Sequence, residues 1–257
     1  MLVLYEFALS PFVQKVKTGL REKDLTFECR DAFGDAEPDD FARISPRREV
    51  PALVDGATAI FDSTIILDYI EEKWPAPPLM PADPAARAEL RMLEEMCDTQ
   101  LEAINYGIAD VMTFPPGDHA AAAAVAENGR AQLAGIVALL AERLGEADWF
   151  GGETFGRADI CVLPHLNAAR LMKTATLPNV LNAWLDRCNA RPSVKATVAE
   201  IKPALADYKA MIGRIREGTE ARQFRDHRLD WLMRSGGAPI VLERLAAGNI
   251  RFPPSYG

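Results

Sequence analysis

Between Trp74 and Pro84 the chain reads WPAPPLMPADP, five prolines in eleven residues. Each proline fixes φ and lacks a backbone N–H, so the stretch extends neither a helix nor a central strand. One unit must therefore be built before it and another after it, and the sequence changes character there. Up to Phe61 the apolar residues fall in short β-rich runs (LVLYEF, TFECR, PALV, ATAIF), whereas from Ala85 to about Met211 they recur at helical spacing among alanines. Charge shifts at the same places. Residues 1–84 hold nine basic and sixteen acidic side chains, residues 85–206 eleven and fifteen, and residues 207–257 nine and six. The expected partition is 1–77, a linker 78–84, a unit 85–206 and an extension 207–257.

In the first unit, a strand over Leu2–Phe7 precedes a helix over Pro11–Glu22 that carries Phe12, Val13, Val16 and Leu20 on one face, and a strand over Thr26–Cys29 completes a βαβ unit. Asp55-Gly56 then suits the positive φ angles of a tight hairpin joining Ala52–Val54 to Ala57–Phe61, and a helix follows over Ser63–Lys73. The order βαβ then ββα predicts a small thioredoxin-like domain. Asp83-Pro84 reads as an N-cap with proline at the first helical position. From there the periodicity predicts helices over 84–113, 119–144, 157–172 and 178–190, with another from about 193. The fold class expected is α+β in two domains, a thioredoxin-like domain followed by an all-α helical bundle.

The extension reads as one charged amphipathic helix from Tyr208 to Gly237, with Phe224, Leu229, Trp231 and Leu232 apolar, and a shorter helix over Pro239–Ala247. Four roles stay open for it: capping a functional cleft, extending a dimer interface, binding an acidic partner through Arg222, Arg225, Arg228 and Arg234, or packing on its own helical domain.

Composition excludes several functions. With 49% apolar and 26% charged residues the 257-residue chain has the make-up of a globular protein, and its net charge of −8 argues against a nucleic-acid partner, which needs a basic stripe. The longest uncharged apolar run, Leu133–Ala141, is far short of the roughly 20 residues of a membrane span. The opening residues MLVLYEFALS include Glu6 and carry no basic leader, so they read as a strand and not a secretory signal. Four scattered cysteines without a CxxC, and three histidines, form neither a metal site nor a disulfide framework, and a cytoplasmic location is expected.

Four short motifs stand out. Ser10-Pro11-Phe12 lies between the first strand and helix, SPRREVPALVDG spans 45–56, Asp62-Ser63 opens the third helix, and GRADICVLPHL spans 156–166. Taken locally, Ser10 and Asp62 are helix caps and Val50-Pro51 is a turn into a strand. The same geometry also stabilises an anion, because a helix N-terminus presents unpaired N–H groups and positive potential.

In this order the motifs resemble the cytosolic glutathione transferase superfamily over residues 1 to about 205, in a serine-type member that looks bacterial and has a C-terminal extension. The resemblance implies that Ser10 hydrogen-bonds the sulfur of glutathione as a donor, that Val50 and Pro51 pair with its cysteinyl part beside a cis-proline, and that Asp62 and Ser63 hold its γ-glutamyl end. Tyr5 is a second donor candidate, or a sheet-packing aromatic. Relatives often have Lys or Gln where this chain has Glu49, so Arg47 or Arg48 is the cation left for the glycyl carboxylate. Phe12 and one face of 94–113, including Met96, Leu101, Asn105, Tyr106 and Phe114, are candidates for the electrophile pocket, with Phe12 and Tyr106 the principal ones. In GRADI, Asp159 at N3 and the Phe155/Ile160 staple are structural. The activity implied is glutathione transfer to a small electrophile by a homodimer, as in detoxification, with glutathione as co-substrate and no metal. Isomerisation or peroxide reduction would use the same site. The alternative is a non-catalytic binding or scaffold protein of the same fold.

Overall fold

The computed structural model describes residues 1–32, 41–114, 117–219, 222–223, 226–248 and 250–251; for Asp207 and for 222–223, 226–228, 230 and 250–251 it describes the backbone alone. Strand β1 (Leu2–Glu6) alternates its side chains between two cores: Leu2 and Leu4 join one with Val16, Leu20, Leu53, Ile66 and Ile70, while Val3 and Tyr5 join another with Val13, Phe41, Val50 and Ala52. Helix α1 (Pro11–Glu22) is the crossover that a parallel pairing of β1 with β2 (Phe27–Asp31) requires. After a short α2 (Phe41–Ile44), β3 (Ala52–Asp55) and β4 (Thr58–Phe61) form the hairpin, giving a sheet of order β2-β1-β3-β4 in which only β1 and β2 are parallel. Strand β2 runs two residues beyond the expected end because all five residues of β1 find partners along it. Helix α3 (Ser63–Lys73) closes this thioredoxin-like domain.

The proline-rich stretch is pinned by side chains. Lys23 donates to the Trp74 and Pro77 carbonyls, and Glu71 accepts from the Leu79 and Met80 N–H groups. The Leu79 carbonyl in turn accepts from Arg157 N–H at 2.8 Å. The helical domain follows: α4 (Pro84–Met96), α5 (Glu102–Thr113), α6 (His119–Leu144), α7 (Arg157–Met172), α8 (Asn179–Ala190) and α9 (Pro192–Ala199) around one apolar core that includes Trp184. The backbone is helical throughout the expected span 84–113, but it contains a π turn, Cys97–Leu101, an insertion in the i→i−4 ladder that hydropathy does not register.

Asp159 caps α7 as expected, its Oδ2 accepting from Gly156 N–H at 3.0 Å and its Oδ1 from Phe150 N–H and Trp184 Nε1. Glycine replaces the usual Ser or Thr at this cap for a steric reason. A Cβ at Gly156 would stand 2.7 Å from the Leu79 carbonyl oxygen.

The extension departs from the expected single helix. Helix α10 (Ile201–Arg216) ends before Gly218, which takes φ +75°, a left-handed stop that only glycine adopts cheaply. The chain continues through β5 (Arg222–Gln223), α11 (Asp226–Arg234), α12 (Ala238–Ala246) and β6 (Ile250–Arg251), which pairs with β5. Helices α11 and α12 pack on the helical domain through buried Leu232, Ile240 and Val241, the last of the four roles left open. Phe224, Arg225 and the side chains of Arg222 and Arg228 lie outside the described residues.

Candidate active site

Strand register brings the first three motifs to one end of the sheet. Tyr5, Ala52 and Phe61 form a transverse row, so the next positions along β1, β3 and β4 are Glu6, Pro51 and Asp62. Ser10 follows that end of β1 by four residues, Val50 precedes Pro51, and Ser63 follows Asp62. Half-buried Ser10 is the N-cap of α1, its Oγ accepting from Val13 N–H at a long 3.4 Å, ahead of Pro11. The Val50-Pro51 bond is cis and both residues are buried. Asp62 is exposed, holds φ +75° and caps α3 through Oδ1, which accepts from Thr64 and Ile65 N–H; Ser63 beside it is buried. Arg48 also takes a left-handed φ, +50°. A non-glycine residue in that region costs on the order of 1 kcal/mol or more and persists only where its surroundings impose it. Such residues cluster at ligand clamps, and here two of them flank one sheet end.

The loop before the cis bond is knotted on itself. Ser45 Oγ donates to the Glu49 carbonyl at 2.9 Å and accepts from Glu49 N–H at 3.2 Å. Arg47 grips the Glu49 carboxylate with two nitrogens, each at 3.3 Å. Glu49 therefore presents a neutralised pair and not a bare negative charge, and Arg47 is committed to it. Arg48, exposed on the same loop, is the cation at the position expected to meet a carboxylate.

Tyr5 is buried, stacks on Phe41 with ring centroids 5.6 Å apart, and places its hydroxyl 3.3 Å from Arg30 on the edge strand β2. Phe12, buried on α1, meets the edge of His165 on α7 at 6.1 Å. Tyr106 belongs to the other domain, half-buried on α5 against the helical core. Of the remaining pocket candidates, Leu101 is fully buried in that core and Asn105 is used internally, donating to the His165 carbonyl and accepting from Thr174. Cys97 is fully buried, and burial pushes its thiol well above its ordinary range.

Behind the sheet end lies a buried charge cluster that the sequence reading missed. Lys15 of α1, with no exposed surface, donates to Glu94 at 2.7 Å, to Asp98 on the π turn, and to Thr64 Oγ1 at 3.3 Å. Arg157 holds the other oxygen of Glu94 at 2.6 Å, Asp68, and the Thr64 carbonyl at 3.0 Å. Burial alone would lower the Lys15 pKa, but Asp98 and Glu94 outweigh it and keep the ammonium charged. Burial likewise pushes the Glu94 carboxyl up, yet Lys15 and Arg157 together bring it down to about 2. Thr64 directly follows Asp62-Ser63, so the cluster fixes the first turn of α3 against both α1 and the helical domain. The one sequence signal was Lys15 itself, a charge bordering the apolar face of the first helix.

Among the described residues, no group of three or more His, Cys, Asp or Glu could hold a metal ion, and no helix is long and apolar enough to cross a membrane.

A thioredoxin-like domain with a cis-proline and two helix N-termini at one sheet end, followed by an all-helical domain, is the architecture of glutathione transferases. Residues 4–78 match the family described as glutathione S-transferase, N-terminal domain, and residues 103–192 match glutathione S-transferase, C-terminal domain. The chain is 33% identical to glutathione S-transferase 3 of Zea mays over 211 residues, 78% of this chain and 94% of that one. Among solved structures it resembles the Tau class glutathione S-transferase of Mangifera indica (TM-score 0.69, 25% identity, 82% of this chain and 98% of that one). A glutathione S-transferase of Methylobacterium radiotolerans in complex with glutathione sulfonate has a TM-score of 0.63 at 26% identity, covering 77% of this chain and 94% of that one. The chain belongs to the glutathione S-transferase family.

Proposed function

We propose that this protein is a glutathione transferase in which Ser10 stabilises the glutathione thiolate for attack on a small electrophile, by conjugation or displacement of a leaving group. The observation that carries this reading is the convergence of Ser10, cis Val50-Pro51 and Asp62-Ser63 on one sheet end. A free thiol has a pKa of about 8.5, and a helix N-terminus with a hydroxyl donor lowers it toward neutrality. Ser10 Oγ donates to the sulfur while its lone pair keeps the contact with Val13 N–H. The Val50 backbone pairs with the cysteinyl unit, as an extended peptide pairs with an exposed strand end. Asp62 keeps Oδ1 on the helix and turns Oδ2 to the γ-glutamyl ammonium, while Ser63 and the N-terminus of α3 meet the α-carboxylate. Arg48 faces the glycyl carboxylate. The electrophile lies between Phe12 and Tyr106, and catalysis comes from thiolate stabilisation and proximity. A homodimer and a cytoplasmic location belong to the same reading.

Support for a decayed site would come from an unopposed Glu49, and the Arg47 pairing removes it. The test is ultraviolet thiolate absorbance of bound glutathione as a function of pH, with Ser10→Ala alongside. A bound thiol pKa well below 8.5, raised by the substitution, with turnover falling at least tenfold and glutathione KM changing less than threefold, is the expected result. Glutathione titrating as the free thiol in both proteins would refute it.

A further inference from the structure

The matched C-terminal family domain ends at residue 192, and beyond it α10, α11 and α12 each make contacts with one helix, α5. Helix α5 has no basic residue in its last turn, so its C-terminal carbonyls lack the usual cation of their own. The extension supplies two. Arg216 at the end of α10 donates to the Thr113 carbonyl at 2.6 Å. Arg244 of α12, only 6% exposed, pairs with the buried Asp110 carboxylate and reaches the Phe114 carbonyl at 3.2 Å. Glu243 beside it accepts from Gly117 N–H in the loop that follows.

One turn earlier, Trp231 of α11 lies over Gly107. A Cβ at Gly107 would stand 2.1 Å from the indole, and one at Gly129 on α6 would stand 3.4 Å from it. Helix α5 thus leaves a side-chain-free place where this tryptophan sits, in ordinary contact with Gly129 of α6, and its Nε1 donates to Gln132 at 2.9 Å. Gly107 is next to Tyr106, and Asp110 is its i+4 neighbour, so both anchors grip α5 at the turn that carries Tyr106.

The same segment also touches the loop that carries Ser10. Tyr208 of α10 meets Phe7, three residues before Ser10, with ring centroids 6.4 Å apart. From Tyr208 to Arg216 is eight residues, or about 12 Å of helix. Helix α10 therefore spans from the Ser10 loop to the C-terminal end of α5.

We propose that the extension braces the electrophile pocket, and that Arg244 is a positioning residue: through Asp110 and the Phe114 carbonyl it holds α5, and with it Tyr106, at a fixed distance from the Ser10 loop. This rests on the reading of the site given above.

The test compares binding of glutathione and of S-hexylglutathione, whose alkyl chain reports on the electrophile pocket, to the full-length chain by calorimetry. In the unsubstituted protein S-hexylglutathione binds at least tenfold more tightly. Arg244→Met leaves the glutathione Kd within twofold but reduces that advantage at least fivefold, and Arg244→Lys, which can pair with Asp110 without forking to Phe114, restores part of it. Arg216→Gln, at an exposed contact, gives a smaller loss in the same direction and serves where the buried substitution prevents folding. A lowered melting temperature with the advantage intact in both Arg244→Met and Arg216→Gln would overturn the proposal, leaving the extension a purely stabilising element. So would an advantage that Tyr106→Ala leaves unchanged, since α5 would then not form the wall. Failure of the unsubstituted protein to bind either ligand would instead refute the underlying site reading, and the proposal with it.

Discussion

Replacing Glu94 by Gln keeps its shape and removes one charge from the centre of the interdomain cluster. Its carboxylate lies 2.7 Å from Lys15, 2.6 Å from Arg157 and 2.9 Å from the Thr64 hydroxyl. Lys15 retains Asp98 and Arg157 retains Asp68, so neither cation is left unpaired, and the cost falls at the lower end of the roughly 3–5 kcal/mol for breaking a buried pair. Linkage gives a consistent figure. A carboxyl whose pKa falls from 4.5 to about 2 on folding contributes about 3 kcal/mol at neutral pH, at 1.36 kcal/mol per unit. The sign follows from the depressed folded value: the contribution is complete above about pH 5 and is lost as pH falls through 4.5 toward 2. For a chain of this size about 3 kcal/mol corresponds to a melting temperature about 10 °C lower. Thermal unfolding followed by circular dichroism at pH 7 should show that gap, and at pH 3 less than half of the stability difference should remain, because the unfolded chain's carboxyl is then protonated while the folded one is still ionised. A gap below about 2 °C at pH 7, or one that does not change with pH, would refute the view that Lys15, Glu94 and Arg157 act as one charge cluster.

Asp62→Asn keeps both the cap and the tolerance of a left-handed φ while removing the charge, so the melting temperature should hold and the glutathione Kd should rise about tenfold, or about 1.4 kcal/mol. An unchanged Kd by calorimetry would make Asp62 a helix cap only. Glu49→Gln releases Arg47 and removes a carboxylate near the expected glycyl position, and should tighten glutathione binding about threefold at low salt, an effect of the size of an exposed ion pair. Weaker binding would show that the Arg47–Glu49 pair is itself part of the site.

How much was legible depended on the range of the interactions. Ser10-Pro11, Asp55-Gly56, Asp62-Ser63 and Asp159 could be read because a cap, a turn and a capping box are decided within three or four residues. The sheet could be read because β1 alternates between two apolar faces. The Lys15 cluster joins residues 49 to 83 positions apart, and no local pattern announces that Lys15 meets Thr64, Glu94 and Asp98. The π turn was invisible for a related reason: it shifts the helical ladder without changing the apolar spacing. In the tail, amphipathic periodicity on both sides of Gly218 concealed the break, although the glycine was the available signal. Gly156 illustrates the converse, a departure from the usual cap that makes sense only once the Leu79 carbonyl is seen 2.7 Å from where a Cβ would be.

The charge distribution along α1 connects stability to the chemistry proposed at its N-terminus. Lys15 and Lys17 are buried, and each meets carboxylates from outside the helix: Glu94 and Asp98 for Lys15, Glu6 and Glu200 for Lys17. Lys23, just past the helix end, meets Glu71, and Arg21 shares Glu200. Burial works against the Lys17 charge, and its hydrogen bonds to Glu200 and Glu6 outweigh that effect and raise its pKa. Replacing such pairs with apolar residues would often cost nothing in stability. Stability alone therefore does not account for four cations on one helix and the residue after it. What they do provide is a position: Lys15 ties α1 to Glu94 and Asp98, Lys17 to β1 through Glu6, Lys17 and Arg21 together to Glu200, and Lys23 ties its end to α3 through Glu71. The N-terminus of α1, where Ser10 sits, is then held relative to the sheet, to α3 and to the helical domain at once. A thiolate-stabilising dipole acts only when it is already aimed at the sulfur, and a helix tied to the sheet, to α3 and to the helical domain does not need to reorganise when the charge develops.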